Sequence, residues 1–493
     1  MTGPRPSDTS EAPHLLDTPD AGPAAIRGGA IRVAGYGAGI VITAMSAALL
    51  FRHLEVEDGG RYVTVLALVS IVAGLTDAGL TGIGTRELVV RHPSQREPLL
   101  RNLIGMRIIL GVVGLAGAVA FAAVAGYSSA MVVGTALAGL GAIVQTFQNT
   151  LAVQLMVDLR LGWVTILELV RQLVTVVGIV VLVLADATLV PFLALLIPAS
   201  LVAVGMTIWL VRGEVPMRPS FDWAEWRVLI RDVLPYATVV LVSIIYFRVA
   251  LIVLSLVSST RETGYFGASF RVTEVLIAIP QLAVASAFPI LVRAARDDTD
   301  RLAYGVGRMF HAMIVLGVGL ALALVLGASF VIDVIAGPQF GPSAGVMRIQ
   351  AVTLLVVFLV VTFNFALLSL REHATMLAIT GGALVINAVG AGLLGASHGA
   401  RGAAVATMVA DVIGLLASGW ALSRLGLPVG RWLTVVPRVA LAAAPAAAMW
   451  FVPIAALPKA AIGVAIYAVG LIVLRAVPEE LWIEARRLRR STA

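Results

Sequence analysis

Fourteen apolar segments follow one another along this chain, each near the roughly 20 residues that cross a bilayer. They lie near 29–51, 61–84, 103–125, 129–154, 164–185, 187–211, 231–256, 264–291, 304–328, 347–370, 374–395, 401–423, 437–456 and 459–476. A segment surrounded by hydrocarbon must satisfy its own backbone hydrogen bonds, and runs of this length do so as α-helices. The predicted fold is therefore all-α and polytopic, with about fourteen transmembrane helices. Composition agrees: 59% of the 493 residues are hydrophobic and only 13% are charged. A soluble domain is about 45–50% apolar and 25% charged, and single cores stop growing near 250–300 residues. These values exclude a soluble enzyme, a disordered chain and a fibrous one.

The chain has no cysteine, so disulfides, thiol nucleophiles and Cys-zinc sites are absent. The six histidines include no H-x-x-x-H pair, and nothing calls for a metal or another cofactor. Residues 1–28 are rich in Pro, Asp, Ser, Thr and Gly and read as a disordered tail, not a signal peptide. A basic tail, 477–493, ends the chain. If the N-terminus is cytoplasmic, about 24 basic residues fall on the inner side and about six on the outer, a strong positive-inside bias. An even number of spans then returns the C-terminus to the cytoplasm. The net charge of +7 is thereby read as membrane orientation, not as nucleic-acid affinity.

The chain also repeats. Gly60-Arg61-Tyr62 opens the second span and Thr263-Gly264-Tyr265 the eighth, with Tyr62 and Tyr265 203 residues apart. The same offset carries the third span onto the ninth. Two six-helix lobes in parallel pseudo-twofold repeat are expected, an N-lobe over 29–211 and a C-lobe over 231–425. Two extra helices follow over 426–476. The connection 212–230, with Trp223 and Trp226, reads as an amphipathic linker on the inner surface. Two such lobes facing each other are a common transporter plan.

Charges within spans mark candidate sites, because each is costly at the bilayer centre. Arg107 and Arg308 lie about one turn inside their spans and are expected to snorkel. Glu168 and Arg171 are spaced to pair on the fifth span. Arg248 and Arg271 lie ~12 Å and ~10 Å deep on consecutive antiparallel helices, with Glu274 one turn beyond Arg271. Two readings remain open for these three. They form either an anion-attracting cavity, suited to phosphate or carboxylate, or a closed network that fixes helix packing. Asp77 and Asp411 are candidates for ion or proton coupling, or for structural hydrogen bonds. Gln145, Gln148 and Asn149 form a polar face on the fourth span; interhelical hydrogen bonding is the default for them and for Asn364 and Asn387.

The stretch Tyr246-Phe247-Arg248 … Thr263-Gly264-Tyr265-Phe266-Gly267-Ala268-Ser269-Phe270-Arg271 … Ile279-Pro280 … Phe288-Pro289 resembles the core signature of polysaccharide-biosynthesis flippases. These are the Wzx-type branch of the multidrug/oligosaccharidyl-lipid/polysaccharide (MOP) exporter superfamily. Leu75-Thr76-Asp77-Ala78-Gly79-Leu80 … Gly84-Thr85-Arg86-Glu87-Leu88 and Gly337-Pro338-Gln339-Phe340 resemble it too. The resemblance covers roughly 29–425. One departure is Ala250, where relatives often carry an acid two residues after the seventh-span arginine. The resemblance implies a non-enzymatic flippase of the cytoplasmic membrane. It would move a polyprenyl-diphosphate-linked glycan by alternating access, beside membrane lipid and cell-envelope glycan-assembly proteins. Arg248, Arg271, Glu274 and Arg171 would bind substrate. The rivals are a cation-coupled drug exporter of the same superfamily, a peptidoglycan-precursor flippase, and a membrane glycan polymerase or ligase. The last would need a sizeable outer loop, and the longest outer connection has Asp333 as its sole acid.

Overall fold

The computed structural model describes residues 21–77, 80–81, 84, 87–88, 92–158, 160–212 and 218–476. The expected tails, 1–20 and 477–493, and linker residues 213–217 lie outside that set. Among the described residues the chain is helical throughout, with no strand. Twelve helices among the described residues are long and apolar enough to cross a membrane. Two of them are hairpins. Helix α1 (Ala21–Asp77) has 57 residues, and α11 (His373–Arg424) has 52. Straight, they would reach ~86 Å and ~78 Å, far beyond a bilayer. α1 instead reverses at Glu55, with φ 60° and ψ −169°, and a Cβ at Gly59 would lie 3.2 Å from the Phe51 ring. α11 reverses at Gly399, and Asn387 on one arm accepts a hydrogen bond from Thr407 on the other. Each is two spans, which brings the twelve helices to the fourteen expected segments.

Gly399 carries the second reversal for two reasons. Its φ of 59° is left-handed, and a Cβ there would lie 2.3 Å from the Glu262 carboxylate. That carboxylate accepts from the Ala400 backbone N–H at 2.7 Å, an acid at the start of the returning arm.

The N-lobe is completed by α2 (Pro93–Val124), α3 (Ser129–Val157), α4 (Leu161–Leu184), α5 (Leu189–Ala194) and α6 (Leu196–Leu210). The C-lobe holds α7 (Trp223–Val257), α8 (Thr260–Asp297), α9 (Thr299–Ile335), α10 (Ser343–Ser369) and α11. The short α12 (Val429–Trp432) leads to α13 (Val436–Ala447) and α14 (Ala456–Val473), which pack on α9. Two boundaries differ from expectation. α1 starts at Ala21 rather than near 29, because Ala-Gly-Pro-Ala-Ala is compatible with helix and Pro is tolerated in a first turn. Among its described residues the linker forms no separate amphipathic helix. Asp222 caps α7 by accepting from Ala224 and Glu225 N–H, and the helix then runs unbroken from Trp223 into the membrane. This segment is latched to the N-lobe through Asn102. Its carbonyl oxygen accepts from Asp222 N and Trp226 Nε1, and its Nδ2 donates to Glu225.

On the face that carries both reversals, the lobes are closed against each other. α1 crosses α8 at two glycines one repeat apart. A Cβ at Gly60 would sit 2.1 Å from the Thr260 carbonyl oxygen, and one at Gly264 2.2 Å from that of Val56. The contact is reciprocal, as a pseudo-twofold axis between the helices requires. Around it, Arg52 donates to the Asp333 and Val334 carbonyls, Tyr127 bonds Ser255, and Phe51 packs edge-on to Phe340.

Gly60→Ala is expected to force the lobes apart and destabilise the fold by about 1–3 kcal/mol. The measurement is the unfolding temperature of the purified protein in detergent. Gly37→Ala is the control, because a Cβ there meets nothing within 4 Å, and it should not lower that temperature.

Candidate functional site

The arginines of the seventh and eighth spans meet at one carboxylate. Arg248 on α7 donates to Glu274 Oε1 at 2.6 Å, and Arg271 on α8 donates to Glu274 Oε2 at 3.0 Å. Helical spacing places Arg271 and Glu274 on one face three residues apart, and the antiparallel packing of α7 supplies Arg248. The Arg248 guanidinium also lies 5.2 Å from the Phe247 ring centre and 5.8 Å from that of Phe270. Arg248 is thus held by a carboxylate and two rings, and its side chain is 19% exposed against 40% for Arg271. The Arg271 guanidinium is the one presented outward.

It is presented to a cavity of about 170 Å³ between the lobes. Arg171, Arg248, Arg271 and Glu274 all line it, together with Gln172 and the rings of Phe51, Tyr62 and Phe270. The four residues singled out from sequence thereby share one space, and network and cavity coexist. Arg171 reaches it from α4, paired through Nη2 to Glu168 at 2.5 Å and through Nε at 3.0 Å. The Phe51–Phe340 and Gly60–Gly264 contacts seal the cavity toward the reversal face.

Two further cavities adjoin it. The N-lobe cavity, about 500 Å³, is lined by Asp77, Gln148, Asn149, Thr165, Glu168 and Gln172 among others. The C-lobe cavity, about 1090 Å³, has a mainly apolar wall that also carries Gln281, Gln350, Asn364 and Asn387, and it shares Arg248, Phe270 and Glu274 with the interlobe cavity. Asp411 lines it, buried, and accepts from the Tyr246 hydroxyl at 2.5 Å. Sequence reasoning passed over Tyr246 and Gln172. The signal for Gln172 was its i+4 spacing from Glu168, to which it donates at 2.8 Å.

Asp77 and Arg107 correct an expectation. Arg107 does not snorkel. Its side chain is 3% exposed, and it donates to Asp77 at 2.7 Å, Thr81 at 2.6 Å and Thr150 at 2.7 Å. Asp77 also accepts from Thr81. The physical reason is that Asp77 and Thr81 from one side and Thr150 on α3 from the other meet its two terminal nitrogens in place, so they need not reach water.

Removing Asp77 leaves a buried cation without its acid. Asp77→Ala should lower the yield and unfolding temperature of the purified protein, and Arg107→Met in the same chain should restore most of the loss. Loss that the second change fails to restore would mean Asp77 stabilises the fold by another route.

A family model described as polysaccharide biosynthesis protein matches residues 49–345. That range holds Asp77, Arg171, Arg248, Arg271 and Glu274 and stops short of Asp411. No curated protein matches the sequence. Solved structures with a similar fold include the lipid II flippase MurJ in an inward closed conformation. Its TM-score is 0.72 at 12% identity, over 90% of this chain and 98% of that one. A multidrug resistance MATE family transporter of the MOP superfamily, inward-facing, has a TM-score of 0.61 at 14% identity, over 78% and 95%. A MOP superfamily transporter from Pyrococcus furiosus Vc1, with a binding pocket of reverse polarity, has a TM-score of 0.56 at 13% identity, over 85% and 99%. With the family match spanning more than half its length, this multi-pass membrane chain belongs to the polysaccharide biosynthesis protein family and has the fold of MOP superfamily transporters.

Proposed function

We propose that this protein is a flippase that moves a polyprenyl-diphosphate-linked oligosaccharide across the cytoplasmic membrane by alternating access. The observation that carries this reading is the unequal charge at the interlobe cavity. Arg248 and Arg271 share the single carboxylate of Glu274, while Arg171 has Glu168 to itself. One positive charge is left over inside a bundle of apolar spans. A diphosphate supplies the missing anion, and a guanidinium binds its oxygens in bidentate fashion. The polyprenyl tail stays in the bilayer. No bond is made or broken, so no catalytic group is needed.

The positive-inside bias favours both termini and the latched linker in the cytoplasm, which makes the reversal face the outer one. The structure then corresponds to a state closed outside. A cavity of about 170 Å³ is smaller than the about 300–1,000 Å³ of ordinary ligand sites, so loading requires the lobes to part. The functional units are the N-lobe over 29–211, the C-lobe over 231–425, and a helix pair over 426–476 set against α9.

For energy coupling, Asp411 is better placed than Asp77. The Asp77 carboxylate already answers Arg107, whereas Asp411 faces a cavity and accepts from the Tyr246 hydroxyl. Asp411→Asn is expected to leave the protein in the membrane but to abolish the response of transport to an imposed proton or sodium gradient in proteoliposomes.

Depletion of the protein should leave lipid-linked glycan on the inner leaflet, as read by labelling of each leaflet. Analysis of the accumulated glycan distinguishes a cell-surface polysaccharide from a peptidoglycan precursor. In complemented cells, Arg271→Ala should reduce outer-leaflet delivery at least about tenfold, as loss of a charge-assisted contact implies. Arg248→Ala should do the same, and Arg271→Lys should retain part of the activity. Normal delivery by both alanine variants would overturn the anion site.

A further inference from the structure

The three adjoining cavities differ in chemistry, and the difference orients a substrate. The interlobe cavity offers guanidiniums. The C-lobe cavity is mainly apolar. The N-lobe cavity is the polar one that carries no arginine among its lining residues. There Gln148, Asn149 and Thr165 stand with the carboxylates of Asp77 and Glu168. The two acids are 43% and 47% exposed, while Arg107 lies buried behind Asp77. The cavity therefore meets a ligand with acceptor oxygens and amides.

A phosphate oxygen has no proton to give to a carboxylate and is repelled by it. A sugar hydroxyl both donates and accepts, and amides and carboxylates are its natural partners. The volume, about 500 Å³, is within the range of small-ligand sites. The cavity is also continuous with the arginines. Thr43 and Gln172 line both spaces, and Glu168, an N-lobe cavity residue, is the ion-pair partner of Arg171 in the other. The Gln172 carbonyl oxygen at this junction is buried with no hydrogen-bond partner among the described residues, an acceptor left unmet.

Resting on the flippase reading above, we infer that the N-lobe cavity is a glycan subsite. It holds the sugars next to the diphosphate and selects neutral, hydroxyl-rich residues over acidic ones. The diphosphate sits at Arg248 and Arg271, and the adjoining sugars extend along α3 and α4 toward Asp77. Asn149 and Thr165 are specificity residues, because they line this cavity and not the interlobe one.

The test uses the purified full-length chain and two probes, polyprenyl diphosphate and the same lipid carrying a single neutral hexose. The wild-type protein should bind the glycosylated lipid more tightly. The Asn149→Leu, Thr165→Val double variant should lose about tenfold in affinity for it, two hydrogen bonds' worth, and bind the bare lipid unchanged. Unchanged binding of the bare lipid also shows that the variant is folded. Arg271→Ala should weaken both lipids alike. If the wild type binds the two lipids equally, or the double variant weakens both to the same extent, the glycan subsite is refuted while the flippase reading stands. If the wild type binds neither lipid, the flippase reading fails and the subsite with it.

Discussion

A guanidinium inside a bundle of apolar helices must be matched or wetted, because leaving it bare in a low-dielectric interior costs several kcal/mol. The interior of this protein is organised around that requirement. Arg107 is buried against an acid and two hydroxyls, and these bonds tie α1 to α2 and α3 while Asp77 stays half-exposed to the N-lobe cavity. Arg171 is matched by Glu168 one turn away. Arg248 and Arg271 are matched together by one acid, which is one too few. The charge left over lies at the interlobe cavity, beside the matched Arg171.

The second constraint is closeness of backbone. Helices α1 and α8 can touch only because Gly60 and Gly264 have no side chain at the crossing. Close approach at one face and cavities behind it are two consequences of one arrangement, in which two lobes meet along an edge. The Asn102 latch works at the opposite end of α7, where its hydrogen bonds are backed by Trp226 and Leu229, buried among N-lobe side chains such as Leu99 and Leu103. Contacts at two ends with cavities between them suit a pair of lobes that rock against each other.

The sequence disclosed much of this, and the reasons are specific. Hydrocarbon demands long apolar helices, so the spans were legible from Ala and Val runs alone. Even the two merged helices left their mark, since Glu55 and Gly399 fall between expected spans. The Arg271–Glu274 pair was legible because i+3 spacing on a helix is fixed. By contrast, Arg107 was misjudged, because its depth from the helix end says nothing about Thr150 on another helix. The linker was misjudged because capping by Asp222 commits Trp223 onward to the same helix as the seventh span.

What the sequence determined by itself is therefore whatever depends on neighbours along the chain. That covers the fold class, the approximate number and places of the spans, the expected repeat and the candidate charges. What only the tertiary structure decided is which of those charges share a space. Arg171 on α4 and Arg271 on α8 stand a hundred residues apart. They line one cavity because the lobes pack face to face, and no periodicity within either helix encodes that packing. The crossing of Gly60 against Gly264 and the polar lining of the N-lobe cavity were decided in the same way, by helices brought together in three dimensions.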